Sequence, residues 1–187
     1  TAKPNFEAII AADNQEFTIG NYTIKAIHTP GHTLESTCYL VSDENGKAHG
    51  IITGDTLFIG DVGRPDLAQK LVADLTQEKL AEYLFHSLRN KIMPLSDDLI
   101  VYPNHGAGSA CGKNMSKETT DTLGNQKKTN YALRADMTRE EFIKKMENVN
   151  MFDVNHYKVN QLKSQVDSYV LRNTLSNFNA MIQKLRT

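Results

Sequence analysis

The sequence predicts an α/β fold in which a sheet is layered against helices. Three observations carry this expectation. The front half alternates apolar and polar residues in short runs separated by Gly-Asn and Asp-Glu-Asn-Gly turns, the period of half-buried strands. From about Leu75 the apolar spacing becomes helical, with Leu80, Leu84 and Leu88 on one face. "LIVYPNH" then returns to a short apolar strand pattern before helical segments resume. Strands followed by interspersed helices argue for layered sheet and helix rather than an all-β fold.

The elements follow in order. "FTIGNYTIKAIH" reads as a hairpin about Gly20-Asn21. "STCYLVS" and "AHGIIT" flank "DENG" and read as a second hairpin. "LTQEKLAEYLFHSLRNKI" reads as one helix with Thr76 as its cap. "LIVYPNH" is a strand that runs into a loop, and "GAGSACGKNMSKETTDTLGNQ", small and polar, reads as a long loop. "MTREEFIKKMENV" opens with Thr138 and Glu141 at the spacing of a capping box. "VLRNTLSNFNAMIQKL" is a last amphipathic stretch, so the chain divides into a main unit over 1–150 and a helical tail or linker over 151–187. There is no internal repeat.

The 187 residues, 40% hydrophobic and 23% charged with a net charge of -1, suffice for one globular domain with a sizeable core. This balance gives no electrostatic case for nucleic acid or an anionic membrane as partner. No apolar run approaches membrane-spanning length. Cys38 and Cys111 stand far apart in different contexts, which is not a disulfide framework and points to a reducing, cytoplasmic location. A homo-oligomer is compatible with the sequence. "TAKPNFEAII" shows no targeting pattern and reads as the start of a mid-domain segment.

Polar residues recur where predicted strands enter loops: His32 after "TPG", Asp55 in "IITGDTLF" and His105 in "VYPNH". Strands position a side chain and loops give access to it. Two imidazoles and a carboxylate also form a coherent ligand set for zinc or non-haem iron. Each residue alone reads more simply, a lone histidine as a hydrogen-bonded one and a Gly-Asp pair as a turn. Together, in this order and in these flanks, they are a strong signal.

"HTPGHT", "TGDTLF" and "VYPNHGAGS" resemble successive motifs of the metallo-β-lactamase fold superfamily, over about Phe17 to Leu133. The resemblance implies an αββα sandwich with metal at one edge. It implies that His32, Asp55 and His105 occupy ligand positions, while His28 is structural. "GDVGRPDL" and "HGAGSACGKNMSKETTDTLGNQKKTNYAL" are similar to persulfide dioxygenases, notably those fused to a rhodanese domain. That finer resemblance implies one Fe(II) held by two histidines and an aspartate, with His32 and Asp55 among them and His105 beside the metal rather than on it. It implies a thiol persulfide and dioxygen as substrates, and a fused or partner rhodanese domain.

The family's first motif, His-x-His-x-Asp-His, does not occur in this sequence, and His49, His86 and His156 stand isolated. The chain is therefore expected to be an incomplete sandwich. With His32 and Asp55 as its only two family ligands for a single iron, it is expected to bind metal weakly by itself and to turn nothing over. It is also expected to leave an open sheet edge and exposed apolar surface. Arg64, held between Gly63 and Pro65, either meets a substrate carboxylate or braces its loop against Asp61 or Asp66. Gly106, Gly108 and Ser109 either admit substrate close to the backbone or form an ordinary turn. Cys111 is either a reactive thiol that touches or carries the persulfide sulfur, or a packed one, whereas Cys38 lies inside a strand. Lys127-Lys128 reads as a solvated pair. Two other functions compete: a dinuclear zinc thioester hydrolase of the glyoxalase II type, in which His105 is a ligand, and a non-catalytic interaction module.

Overall fold

A computed structural model describes residues 6–68, 74–113 and 115–147. The predicted tail, the 150/151 boundary and His156 lie outside the described residues.

Strands β1 (Glu16–Ile19) and β2 (Tyr22–His28) form the first hairpin, and β3 (Thr37–Ser42) and β4 (Ala48–Gly54) form the second. Two-residue strands β5 (Leu57–Phe58) and β6 (Asp61–Val62) pair with each other. Helix α1 (Gln77–Ser87) precedes β7 (Ile100–Pro103) and the short β8 (Asp121–Thr122). Helices α2 (Leu123–Thr129) and α3 (Arg139–Glu147) follow. The main sheet has the order β1-β2-β3-β4-β7-β8, with β4 and β7 parallel and the other neighbours antiparallel. The parallel pair needs a crossover, and α1 supplies it.

Alternation decides the faces of the sheet. Ile27, Cys38, Ile51 and Val101 face the helices and join Ala81, Leu84, Leu88, Phe142 and Met146 in one core. Val41 and Tyr102 mark the other face, with Tyr22, Ile24, Ile52 and Ile100 packed around them, all of them strand residues. Among the described residues this is one six-stranded sheet with its helices and a separate two-stranded ribbon, the incomplete sandwich that was expected. Phe6, Ile9 and Ile10, ahead of edge strand β1, are more than 70% exposed, which agrees with the expected apolar surface.

The predicted caps are present. The Lys79 N–H donates to the Thr76 hydroxyl (3.1 Å). Thr138 and Glu141 form the reciprocal box, each backbone N–H donating to the other's side chain at 2.9 and 3.2 Å. Replacing Thr138 by Ala should lower stability by about 1 kcal/mol in denaturant unfolding, with an unchanged m-value.

Three expectations are corrected. The α1 period does not run unbroken to Ile92: Leu88–Ile92 form a π-helical turn, closed by Met93 N–H donating to Leu88 O (2.9 Å). Arg89 in that turn donates to Ala132 O and Arg134 O, so tertiary bonds hold the wider turn in place. The long loop ends earlier than predicted, because "DTLGNQ" supplies β8 and α2, with Thr122 accepting from Asn125 N–H as the cap. Lys127 is not solvated; its ammonium bonds Leu95 O and Asp97.

Candidate metal centre

The corner "HTPGH" is clamped by α1. Gly31 lies at φ +154°, and a Cβ there would sit 2.4 Å from Leu84 Cβ and 2.6 Å from its Cα, so only glycine lets the corner meet the helix this closely. Ser87 donates to Pro30 O (2.8 Å), and Lys91 donates to His28 O (2.6 Å) and Asp13 (2.8 Å). The His28 ring bonds Leu34 O at 2.7 Å, the structural role expected of it. Thr29 and Thr56 join their hydroxyls beneath (2.8 Å). His32 thus leaves a rigid corner.

His32, Asp55 and His105 converge. Asp55 Oδ2 lies 3.3 Å from His32 Nε2 and 3.3 Å from His105 Nε2. The three come from the β2–β3 corner, the end of β4 and the end of β7, far apart in sequence. His32 Nδ1 is 2.9 Å from Arg64 O. A carbonyl only accepts, so Nδ1 carries the proton in the neutral ring and the lone pair of Nε2 faces Asp55. Two acceptors in contact require a cation beside them, either a proton or a metal ion. A ring N–H tied to a backbone carbonyl is also the usual support of a metal-binding histidine. Asp55 Oδ1 is buried with no hydrogen-bond partner, a costly state for a carboxylate oxygen unless it meets a cation.

Electrostatics agree. Burial pushes the Asp55 carboxyl up, but its contacts with His105 and His32 outweigh it and hold the group well below the usual carboxylate range. His105 is pushed up to about 10, chiefly by its bond to Asp55 and then by its bond to Cys111. With no metal bound, an imidazolium proton therefore neutralises Asp55. A divalent ion would replace that proton. The donor set of two imidazoles, a carboxylate and a nearby thiol fits zinc or iron(II).

Loop geometry brings in the other predicted residues. The Arg64 guanidinium makes a paired contact with Asp66 and reaches Ala110 O at 3.4 Å, so of its two readings the geometry gives the brace. The Arg64 backbone is the hub: its carbonyl meets His32, and its N–H donates to Cys111 O at 2.9 Å. The Ser109 hydroxyl accepts from Cys111 N–H (3.1 Å). A Cβ added at Gly106 or Gly108 would meet open space, and Gly108, at φ +93°, sits in a backbone region that favours glycine. Cys111 is half-buried at the site and Cys38 fully buried in β3. His49 pairs with Asp43 at 2.7 Å, and His86 lies 4.0 Å from Glu82 on α1, both away from the site.

Sequence reasoning missed the supports behind the loop. The buried Asp61 accepts from Tyr131 O–H and Val62 N–H at 2.8 Å and from Lys113 N–H at 2.5 Å. The Asn130 amide donates to Phe58 O and Asp61 O, and Gln126 Oε1 accepts from Gly60 N–H (2.8 Å). The available signal was Gln126 and Asn130 four residues apart, on the face that also carries Leu123.

The cysteines make a test. Burial pushes the Cys38 thiol up to about 11, against hydrogen bonds from Thr29 and Thr56. A neutral-pH thiol reagent should label Cys111 in the metal-free folded chain and Cys38 only after unfolding, as read by peptide mapping. Because the folded value of Cys38 is the raised one, its contribution to stability is present below the unfolded value of 9.0 and is lost as pH rises toward 11.

No protein-family model matches the chain. It is 34% identical over 93 residues to a probable hydroxyacylglutathione hydrolase of Schizosaccharomyces pombe, covering 50% of this chain and 31% of that protein. It is 34% identical over 107 residues to BaeB, a probable polyketide biosynthesis zinc-dependent hydrolase of Bacillus velezensis, covering 57% and 41%. A metallo-β-lactamase crystal structure from Staphylococcus aureus superposes with a TM-score of 0.66 at 35% identity, covering 76% of this chain and 40% of that one. ETHE1 from Myxococcus xanthus superposes with a TM-score of 0.58 at 28% identity, covering 75% and 52%.

With its ligand corner, its layered half-sandwich and these neighbours, the chain belongs to the metallo-β-lactamase superfamily. It spans under half the length of these two curated relatives. Of these relatives, BaeB is named as a zinc-dependent hydrolase. No helix among the described residues is long and apolar enough to cross a membrane.

Proposed function

We propose that the complete protein is an iron-dependent persulfide dioxygenase that oxidises a thiol persulfide to sulfite or a sulfinate. The observation that carries this reading is the thiol-bearing loop against the ligand set: the Cys111 sulfur lies within 4.8 Å of the ligand atoms of His32 and Asp55. Similarity to ETHE1, a persulfide dioxygenase, supports it. His32 and Asp55 would hold Fe(II), which would supply the dioxygen chemistry. His105, 3.3 Å from Asp55, would position an anionic sulfur beside the metal. Gly106 and Ser109 line the approach for substrate, Arg64 fixes the loop behind it, and Cys111 stands beside the metal position. The proposed partners are a small thiol carrier and a fused or separate rhodanese domain, in the cytoplasm.

A second reading has its own support. Asp55 Oδ2 is equidistant from two imidazoles, so His32, Asp55 and His105 would together hold zinc, which would supply an activated water for thioester hydrolysis. Similarity to the hydroxyacylglutathione hydrolase and to BaeB favours it. Metal analysis of the complete protein, with oxygen uptake on glutathione persulfide and hydrolysis of a glutathione thioester, separates the two. One iron with persulfide-dependent oxygen uptake supports the proposal. Two zinc ions with thioester hydrolysis alone overturn it.

A further inference from the structure

We infer that Cys111 is itself a metal ligand, so that His32, Asp55 and Cys111 form a nitrogen, oxygen and sulfur site for a thiophilic divalent cation within this chain alone. The ligand atoms of these three residues lie within 4.8 Å of one another. Around a tetrahedral ion, donors at bond lengths of about 2.0–2.3 Å sit roughly 3.3–3.8 Å apart. His32 and Asp55 already stand at 3.3 Å, so only a small inward shift of the sulfur closes the set.

Independent observations point the same way. Asp55 Oδ1 is buried without a partner. The Cys111 backbone is locked on both sides, its N–H by Ser109 and its carbonyl by Arg64 N–H. Past it, Lys113 N–H is held by Asp61, and a Cβ on Gly112 would come within 3.1 Å of Asp61 Oδ2. The sulfur is thus presented by a fixed backbone. On this inference the chain holds metal more tightly than its two family ligands alone would, because folding adds a third donor from a loop six residues beyond His105. Binding would release the thiol proton to solvent, and thiolate would favour zinc or iron(II) over magnesium or manganese. The inference does not depend on which reaction the complete protein performs.

Cobalt(II) titration of the metal-free chain tests it. The expected result is one ion per chain with a near-ultraviolet sulfur-to-cobalt charge-transfer band. In Cys111→Ser the band should vanish and affinity should fall about tenfold or more. A measurement on the unmutated chain guards against a misfolded variant: stoichiometric zinc should slow alkylation of Cys111, identified by peptide mapping, at least about tenfold. Cobalt bound without the band, a band that persists in Cys111→Ser, or alkylation indifferent to zinc would each overturn the inference, whatever the activity assays give.

Discussion

Asp55→Asn should abolish metal retention, lowering affinity by more than about 100-fold, beyond the range for losing a mere supporting partner of a ligand. Asp55 is the one anionic oxygen donor of the cluster and touches both imidazoles. The amide keeps the shape but loses the charge, and its NH2 offers no lone pair to a cation. Metal content after dialysis measures the loss. The same substitution has a second readout in the metal-free chain. His105 titrates near 10 first because Asp55 bonds it and second because of Cys111, so removing the Asp55 charge should bring its NMR titration down toward 6.5. The sign for stability follows. The raised His105 contributes stability that is present below its unfolded value of 6.5 and is lost as pH rises through about 10. The depressed Asp55 contributes stability that is present above its unfolded value of 3.8 and is lost as pH falls. Both describe one interaction, and Asp55→Asn should flatten both limbs. Unchanged metal content, or a His105 titration still near 10, would refute the ligand assignment.

Gly63→Ala should be the most damaging small substitution in the site loop. A Cβ there would lie 1.9 Å from Asp55 O and 3.0 Å from His32 Cβ. The first contact is backbone, which cannot swing aside as a flexible side chain can. The loop must move, and with it Arg64, whose carbonyl orients His32 and whose N–H holds Cys111. A loss of about 3 kcal/mol is expected, the upper end for overpacking, together with weaker metal binding. Gly106→Ala is the control. Nothing lies within 4 Å of its added Cβ, so stability should stay within about 0.5 kcal/mol. Chemical denaturation of the two variants decides this. Equal effects would show that the close approach at Gly63 has no consequence for the fold.

Much of the fold was legible. Period two gave both hairpins, period 3.6 gave α1, and Thr76 and Thr138 marked helix starts, because each signal lies within a few neighbouring residues. Convergence of His32, Asp55 and His105 could be expected from three strand ends beside matching motifs. The π turn at Leu88 could not, since its cause is Arg89 reaching carbonyls more than forty residues away. Lys127 was misread for the same reason: its partners are Leu95 and Asp97, distant in sequence.

Sequence alone therefore determined the strand and helix order, the superfamily, and which histidines and aspartate stand at strand ends. Those properties depend on local spacing, on the Pro-Gly corner and on residue type. Only the tertiary structure decided that Arg64 turns to Asp66, that Asp61, Gln126 and Asn130 carry the loop, and that Cys111 faces Asp55 and His105. The direction of a side chain in a glycine-rich loop is not set by its neighbours in sequence. It is set by the backbone groups that the loop must satisfy on folding, and here those belong to Arg64 and Asp61, some fifty residues earlier.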